Sequence, residues 1–254
     1  MEEKLDFEQF KDLVGDKWGN YLKPLFESKE MFQLYQQFKE LSKKGVRITP
    51  KSDELYNFLK YCDPSNLNLI IIGLDSYPGV YKNNVLQCTG FAFDCSNSPD
   101  KSCQPSLSAL WEGLSHEYNE VLPKEYDIRY LAEREGVLLA NRALNCKLYK
   151  TGSFVGMWDF WWKFYLEQVI TPYFPGIPIL FLGNESKKLR AYVFEMNNPV
   201  FELTHPSFAA RTNSLWETKG VFKSIDRITE GNNKLKINWK KEILVEQDFE
   251  NPPF

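Results

Sequence analysis

Apolar positions along the chain alternate between two rhythms. From Tyr21 to Lys44, Leu22, Leu25, Phe26, Phe32, Tyr35, Phe38 and Leu41 fall on one stripe with helical spacing, which predicts a long amphipathic helix broken near Ser28. A shorter helix is predicted over Asp53–Tyr61 with Ser52 as its cap. Four short, uniformly apolar runs follow: Leu67–Ile72, Gly136–Ala140, Pro178–Leu182 and Val200–Leu203. Such runs fit strands covered on both faces, as in the core of a parallel sheet. Helical patterns separate them at Ser106–Tyr118, Ile128–Arg134, Trp158–Ile170 and Ser186–Glu195, and another follows at Ser214–Thr229. The pattern predicts an α/β fold with right-handed crossovers: a mainly parallel four-stranded sheet between two helical layers.

The polar residues that follow the strands carry the functional signal. The first strand leads into Gly73-Leu74-Asp75-Ser76-Tyr77-Pro78, the second into Asn141, the third into Gly183-Asn184 and the fourth into Thr204-His205-Pro206-Ser207. Open parallel sheets bind ligands at the carboxyl ends of their strands. Asp75, Asn141 and His205 are therefore expected to converge, although more than sixty positions separate each from the next. Singly, each has an ordinary structural reading: Asp75 as a turn former or cap, Asn141 as a turn residue, His205 as a buried structural histidine. Together they offer an anion, a two-sided amide and a hydrogen-bond donor. No serine elbow, P-loop or dinucleotide fingerprint accompanies them. The set fits hydrolysis of a bound polar ring, with the ring unidentified at this point.

Composition narrows the classes. The 254 residues, 43% of them apolar, fit one domain spanning 1–254. No stretch reaches the length of a membrane span, and MEEKLDFEQFKDL lacks the basic-then-apolar order of a signal peptide, so an intracellular, cytoplasmic or nuclear protein is expected. The five cysteines contain no C-x-x-C pair and only His116 and His205 could join them, so no metal or other cofactor is expected. The net charge of −3 conceals a gradient. Between 186 and 241 there are 11 Lys/Arg against 5 Asp/Glu, a surplus that fits phosphate contacts or merely a solvated helix face.

Several of these segments, in order, resemble the motifs of family 1 uracil-DNA glycosylases. Gly73–Pro78 stands where that family reads GQDPYH, Gly136-Val137-Leu138-Leu139-Ala140-Asn141 where it reads GVLLLN, and His205-Pro206-Ser207-Phe208 where it reads HPSP. Gly90-Phe91-Ala92-Phe93, Gln104-Pro105-Ser106-Leu107 and the segment from Gly183 to Lys188 resemble its base-stacking, proline-rich and glycine-serine loops. The resemblance runs over nearly the whole chain. It implies excision of uracil from DNA, with Asp75 and His205 catalytic and Leu74, Tyr77, Phe93 and Asn141 holding the base. Asn141 would read uracil, Tyr77 would exclude thymine and Phe93 would stack, although core packing is the alternative for both aromatics. Ser106, Gly183, Asn184, Ser207, Phe208 and Arg211 would bind DNA, with Lys187, Lys188 and Arg190 adding longer-range attraction. The implied partner is uracil-containing DNA, single- or double-stranded, bound by a monomer open to a replication or inhibitor protein.

The departures from the motifs define the alternatives. Leu74, Ser76 and Pro78 replace Gln, Pro and His in the first motif, whose Tyr-Pro ending resembles the poxviral branch. Loss of the proline predicts a less rigid loop. Ala209 stands where the family carries its DNA-wedge leucine, leaving Phe208 or Arg211 to fill the base stack. Two other readings follow: a glycosylase for another damaged pyrimidine, and a DNA-binding or replication-associated module in which catalysis is secondary.

Overall fold

A computed structural model of the chain describes residues 6–232 and 234–241. The remaining ends, including the acidic residues beyond Lys241 and the first residues of the charged N-terminal segment, lie outside the described residues. The elements run α1 (Phe7–Val14), α2 (Asp16–Phe26), α3 (Lys29–Lys43), β1 (Ile48–Thr49), α4 (Asn57–Lys60), β2 (Leu69–Asp75), α5 (Pro105–Tyr118), α6 (Arg129–Glu133), β3 (Val137–Ala143), β4 (Cys146–Lys147), α7 (Asp159–Phe164), α8 (Thr171–Tyr173), β5 (Ile179–Leu182), β6 (Val200–Leu203), α9 (Pro206–Thr212) and α10 (Val221–Gly231). The central sheet is four-stranded and parallel throughout, in the order β3-β2-β5-β6.

The apolar runs form this sheet because both its faces are covered. Leu69 to Ile72, Val137 to Ala140 and Ile179 to Leu182 are all buried. They join a single cluster with the aromatic face of α7, where Trp161 and Trp162 are fully buried. At roughly 1.5–3 kcal/mol for each large side chain removed from water, this layer supplies most of the drive to fold. The long predicted helix is interrupted where expected: Ser28 accepts from the Met31 N–H at 3.1 Å and caps α3.

Other boundaries differ from the sequence expectation for identifiable reasons. β2 and β3 run on through Asp75 and Ala143, so Asp75 and Asn141 belong to their strands instead of following them. The helix expected over Asp53–Tyr61 contracts to Asn57–Lys60, and Ser52 does not cap it. There the Asn57 side chain donates to the Thr89 carbonyl, tying the first turn to a neighbouring loop. Trp158–Ile170 begins as α7 and widens to a π-helical turn at Tyr165–Ile170, just before Pro172, which has no N–H to continue the ladder. The 186–195 helix is a 3-10 stretch, Ser186–Tyr192. Residues 214–220 are irregular because the Trp216 indole is inserted against α5 and donates to the Thr204 carbonyl, so α10 starts only at Val221. Helices α1 and α9 and the small antiparallel ladder β1–β4 were not anticipated. Among the described residues no helix is long and apolar enough to cross a membrane.

Candidate active site

The carboxyl ends of the strands open on a cleft of about 380 Å³. Leu74, Asp75, Tyr77, Ser106, Gly183, Asn184, His205, Ser207 and Arg211 all line it, together with Thr151 and Glu185. Nine of the twelve residues expected at the site therefore share one wall. The other three stand apart in different ways. Phe93 and Asn141 are nearly buried and lie behind the wall, and Phe208 projects from the start of α9 with 56% of its surface exposed.

Strand register explains how Asn141 is placed. It pairs with Gly73 across β2 and β3. A Cβ on Gly73 would fall 2.6 Å from Asn141 Oδ1 and 3.6 Å from the Phe93 ring, so only glycine leaves room for that amide and ring to close over the strand. Phe93 has a left-handed backbone (φ 67°) and its ring lies 5.4 Å from the His205 ring at 30°. The Ala92 N–H donates to the Leu139 carbonyl, which locks this segment to β3. The Phe93 carbonyl in turn accepts from the Tyr77 hydroxyl at 3.4 Å, and the same hydroxyl is 2.8 Å from Ser106 Oγ. Tyr77, Ser106 and His205 on the cleft are thus connected through Phe93 behind them.

His205 lies two residues beyond β6 and caps α9. The Ser207 N–H donates to His205 Nδ1 at 3.2 Å. A backbone N–H can only donate, so Nδ1 is the acceptor and the ring proton of the neutral form resides on Nε2. The Ser207 hydroxyl, 2.9 Å from the same Nδ1, then completes the cap. Burial, with the nearby positive charge of Arg211, lowers the imidazole from 6.5 to about 4, so it is neutral at pH 7. Gly183 (φ 89°) brings β5 against this residue: a Cβ there would sit 3.1 Å from His205 Cβ.

Asp75 is held differently. Burial raises its carboxyl above the ordinary range, and a hydrogen bond from the Gly152 N–H opposes that rise by stabilising the anion. Neither Gly152 nor Thr151 was singled out in the sequence. The first-motif loop is also better tied than the missing proline implied. Ser76 is buried and its hydroxyl donates to the Leu144 carbonyl at 3.2 Å, the Cys146 thiol donates to the Ser76 carbonyl, and the Tyr149 N–H donates to the Pro78 carbonyl at 2.7 Å. Side-chain hydrogen bonds do here what a ring would do covalently.

A second residue that sequence reasoning missed stands beside Asn141. Arg142 is buried, and its guanidinium donates to both Asp159 oxygens (2.9 and 2.6 Å) and to the Glu185 carbonyl and carboxylate (both 2.9 Å). It joins β3 to α7 and to the Gly183–Glu185 loop. Charge elsewhere in the loop is similarly spoken for. Lys187 pairs with Glu202, Lys188 with Glu185, and Arg190 with Glu195 and Glu202. These three cations are therefore paired with carboxylates and do not by themselves make an open basic face. Ala209 is buried at 3% exposure, so its methyl cannot serve as a wedge. All five cysteines are free, and among the described residues no group of three or more His, Cys, Asp or Glu is placed to hold a metal.

The parallel sheet with this cleft at its strand ends defines a uracil-DNA-glycosylase-like α/β fold, and solved structures of uracil-DNA glycosylases share it. The mimivirus uracil-DNA glycosylase superposes with a TM-score of 0.79, covering 94% of this chain and 90% of that one at 20% identity. A variant of the mimivirus protein, solved in complex with UGI, gives 0.80 over 94% and 92% at 20% identity. In sequence, the chain is 24% identical over 230 residues to the uracil-DNA glycosylase of Campylobacter jejuni subsp. doylei, covering 89% of this chain and 94% of the relative. It is 26% identical over 231 residues to that of Bacillus cereus, covering 91% and 98%. No protein-family model matches the chain.

Proposed function

We propose that the chain is a monofunctional uracil-DNA glycosylase of base excision repair. It would hydrolyse the N-glycosidic bond of a deoxyuridine flipped out of DNA, releasing uracil and leaving an abasic site. The observation that carries this reading is the presence of Asp75 and a neutral, Nε2-protonated His205 on one cleft, with Tyr77 also lining it and Asn141 just behind, against Gly73. A base within a duplex conceals its glycosidic bond, so the nucleotide must leave the stack before it is cut.

Bond cleavage places positive charge on the sugar and negative charge on the uracil ring. Asp75, an anion steadied by the Gly152 N–H, stabilises the sugar cation and orients water for attack on C1′. The water's hydroxyl bonds to C1′, and the uracil leaves with the bonding pair and gains the proton. His205 Nε2–H donates to the uracil oxygen that gathers charge, an interaction that strengthens as the bond breaks. A neutral donor suits this role, since it costs no proton transfer at pH 7. The Asn141 amide matches uracil O4 and N3–H and is mispaired by cytosine. An unmatched buried amide costs about 1–3 kcal/mol per group. Tyr77, fixed by Ser106 and the Phe93 carbonyl, excludes a C5 methyl, and Phe93 offers a ring face to the base.

Around the cleft, Leu74 presents its backbone, and Gly183, Asn184, Ser106, Ser207 and Arg211 contact the DNA backbone. Phe208, exposed beside them, is the apolar group available to fill the vacated stack. Motif order supports family 1, and the Tyr77-Pro78 ending supports a likeness to its poxviral branch. A single-domain monomer acting inside the cell, open to an inhibitor protein as the mimivirus variant is to UGI, accords with this reading. Incubation with a uracil-containing oligonucleotide followed by alkaline strand scission tests it. Scission at the uracil is expected, and intact single- and double-stranded uracil DNA would overturn it.

A further inference from the structure

Lys187, Lys188 and Arg190 are paired with carboxylates, and Arg211 lines the cleft. A further group of cations lies beside the segment that brings Thr151 and Gly152 to the site. Ile48 pairs with Lys147 in the β1–β4 ladder, and the Leu148 N–H donates to the Arg47 carbonyl at 2.9 Å, bringing Arg47, Lys147 and Lys150 into one surface segment. None of the three pairs with a carboxylate among the described residues, and Lys147 Nζ rests 5.8 Å from the centre of the Phe154 ring.

Tyr149 stands in the middle of these cations. It is 68% exposed and has a left-handed backbone, φ 62°, which a tyrosine adopts only when its surroundings hold it there. Two backbone bonds do so: Tyr149 N–H to the Pro78 carbonyl and Lys150 N–H to the Lys147 carbonyl. The next two residues enter the site itself, Thr151 on the cleft wall and Gly152 on the Asp75 carboxylate. Two residues of chain span at most about 7 Å, so this surface adjoins the cleft. An exposed aromatic ring on a backbone held by hydrogen bonds, next to cations that pair with no carboxylate among the described residues, matches the requirements of single-stranded nucleic acid, which stacks its bases on such rings and runs its phosphates past the charges.

We infer that Arg47, Lys147, Tyr149 and Lys150 form a track that guides a single strand of DNA into the cleft on the Asp75 side. The identity of the strand as substrate rests on the glycosylase reading. The track itself is tested by binding alone, with the intact chain and a fluorescein-labelled oligodeoxynucleotide that contains no uracil, followed by fluorescence anisotropy. Tyr149→Asn removes the ring while keeping a residue that accepts φ 62°, and it should weaken binding by about fivefold or more. Tyr149→Trp, which retains a stacking face, should bind about as tightly as the unaltered chain. Lys147→Ala with Lys150→Ala should reduce the slope of log affinity against log salt by about 0.7 for each cation removed. Unchanged affinity in Tyr149→Asn, or an unchanged salt slope in the double variant, would overturn the track. Uracil release by the unaltered chain separates the two ideas. Binding that responds at Tyr149 without uracil release would sink the enzyme reading and keep the track, whereas uracil release with an unresponsive Tyr149 would do the reverse.

Discussion

Protonation of His205 should be strongly disfavoured in the folded chain, and the structure gives the size of the effect. Its imidazole falls from 6.5 to about 4, chiefly through burial and secondarily through Arg211. That gap corresponds to about 3 kcal/mol between the two protonation states. Because the folded value is the lower one, the unfolded chain binds more protons between pH 4 and 6.5. Stability should therefore be intact above pH 6.5 and decline through that window as the pH falls. A His205→Gln variant should lack this component of the decline, so the two chains should differ by about 3 kcal/mol in their loss of stability between neutral pH and pH 4. The ring can be observed directly, since the chain has only two histidines and His116→Gln leaves one imidazole to follow by nitrogen-15 NMR. The expected spectrum is a neutral Nε2–H tautomer down to at least pH 5. A ring that titrates near 6.5, or one protonated at Nδ1 when neutral, would refute the assignment of His205 as a neutral donor.

Two further substitutions probe the scaffold around it. Gly73→Ala places a methyl 2.6 Å from Asn141 Oδ1, so the amide must move. The expected loss in kcat/KM on uracil DNA is about 10- to 100-fold, from ~1–3 kcal/mol of disturbed hydrogen bonding, with near-normal far-ultraviolet circular dichroism. Activity equal to that of the unaltered chain would show that Asn141 does not read the base from this position. Arg142→Met leaves the Asp159 and Glu185 carboxylates without their shared cation. Breaking such a buried pair costs about 3–5 kcal/mol, reduced here because Glu185 keeps Lys188 and Asp159 is partly exposed. At about 2–4 °C per kcal/mol for a domain of this size, thermal denaturation should show a clear drop in Tm, and an unchanged Tm would contradict the bracing role.

Much of this arrangement was legible in the sequence because it depends on local rules. Uniformly apolar runs mark a doubly covered parallel sheet, and the polar residues at the ends of those runs have few places to go except one rim. Asp75, Asn141 and His205 were found in that way. What escaped was long-range and carried by hydrogen bonds. Nothing in the pattern indicates that Gly152, over seventy residues after Asp75, lends it a backbone N–H, or that Ser76 replaces a proline by bonding to Leu144. Charge counting along the chain misses pairing for a related reason. It sums residues along the chain and does not show that Lys187, Lys188 and Arg190 pair with Glu202, Glu185 and Glu195 through folding. Arg142 lay hidden because a charged residue inside an apolar strand has no periodic signature until its partners are placed.

Asp75 offers the most direct test of the chemistry. Burial raises its carboxyl above the usual range, so the anion that serves catalysis is held at a cost to the fold at neutral pH. The decisive measurement is single-turnover release of uracil from the same oligonucleotide by the unaltered chain and by Asp75→Asn, with Tm recorded for both. The account predicts rapid release by the former, a loss of at least about 100-fold in the latter, and a Tm for Asp75→Asn that equals or exceeds the original. Equal rates in the two chains, or no uracil released by either, would contradict it.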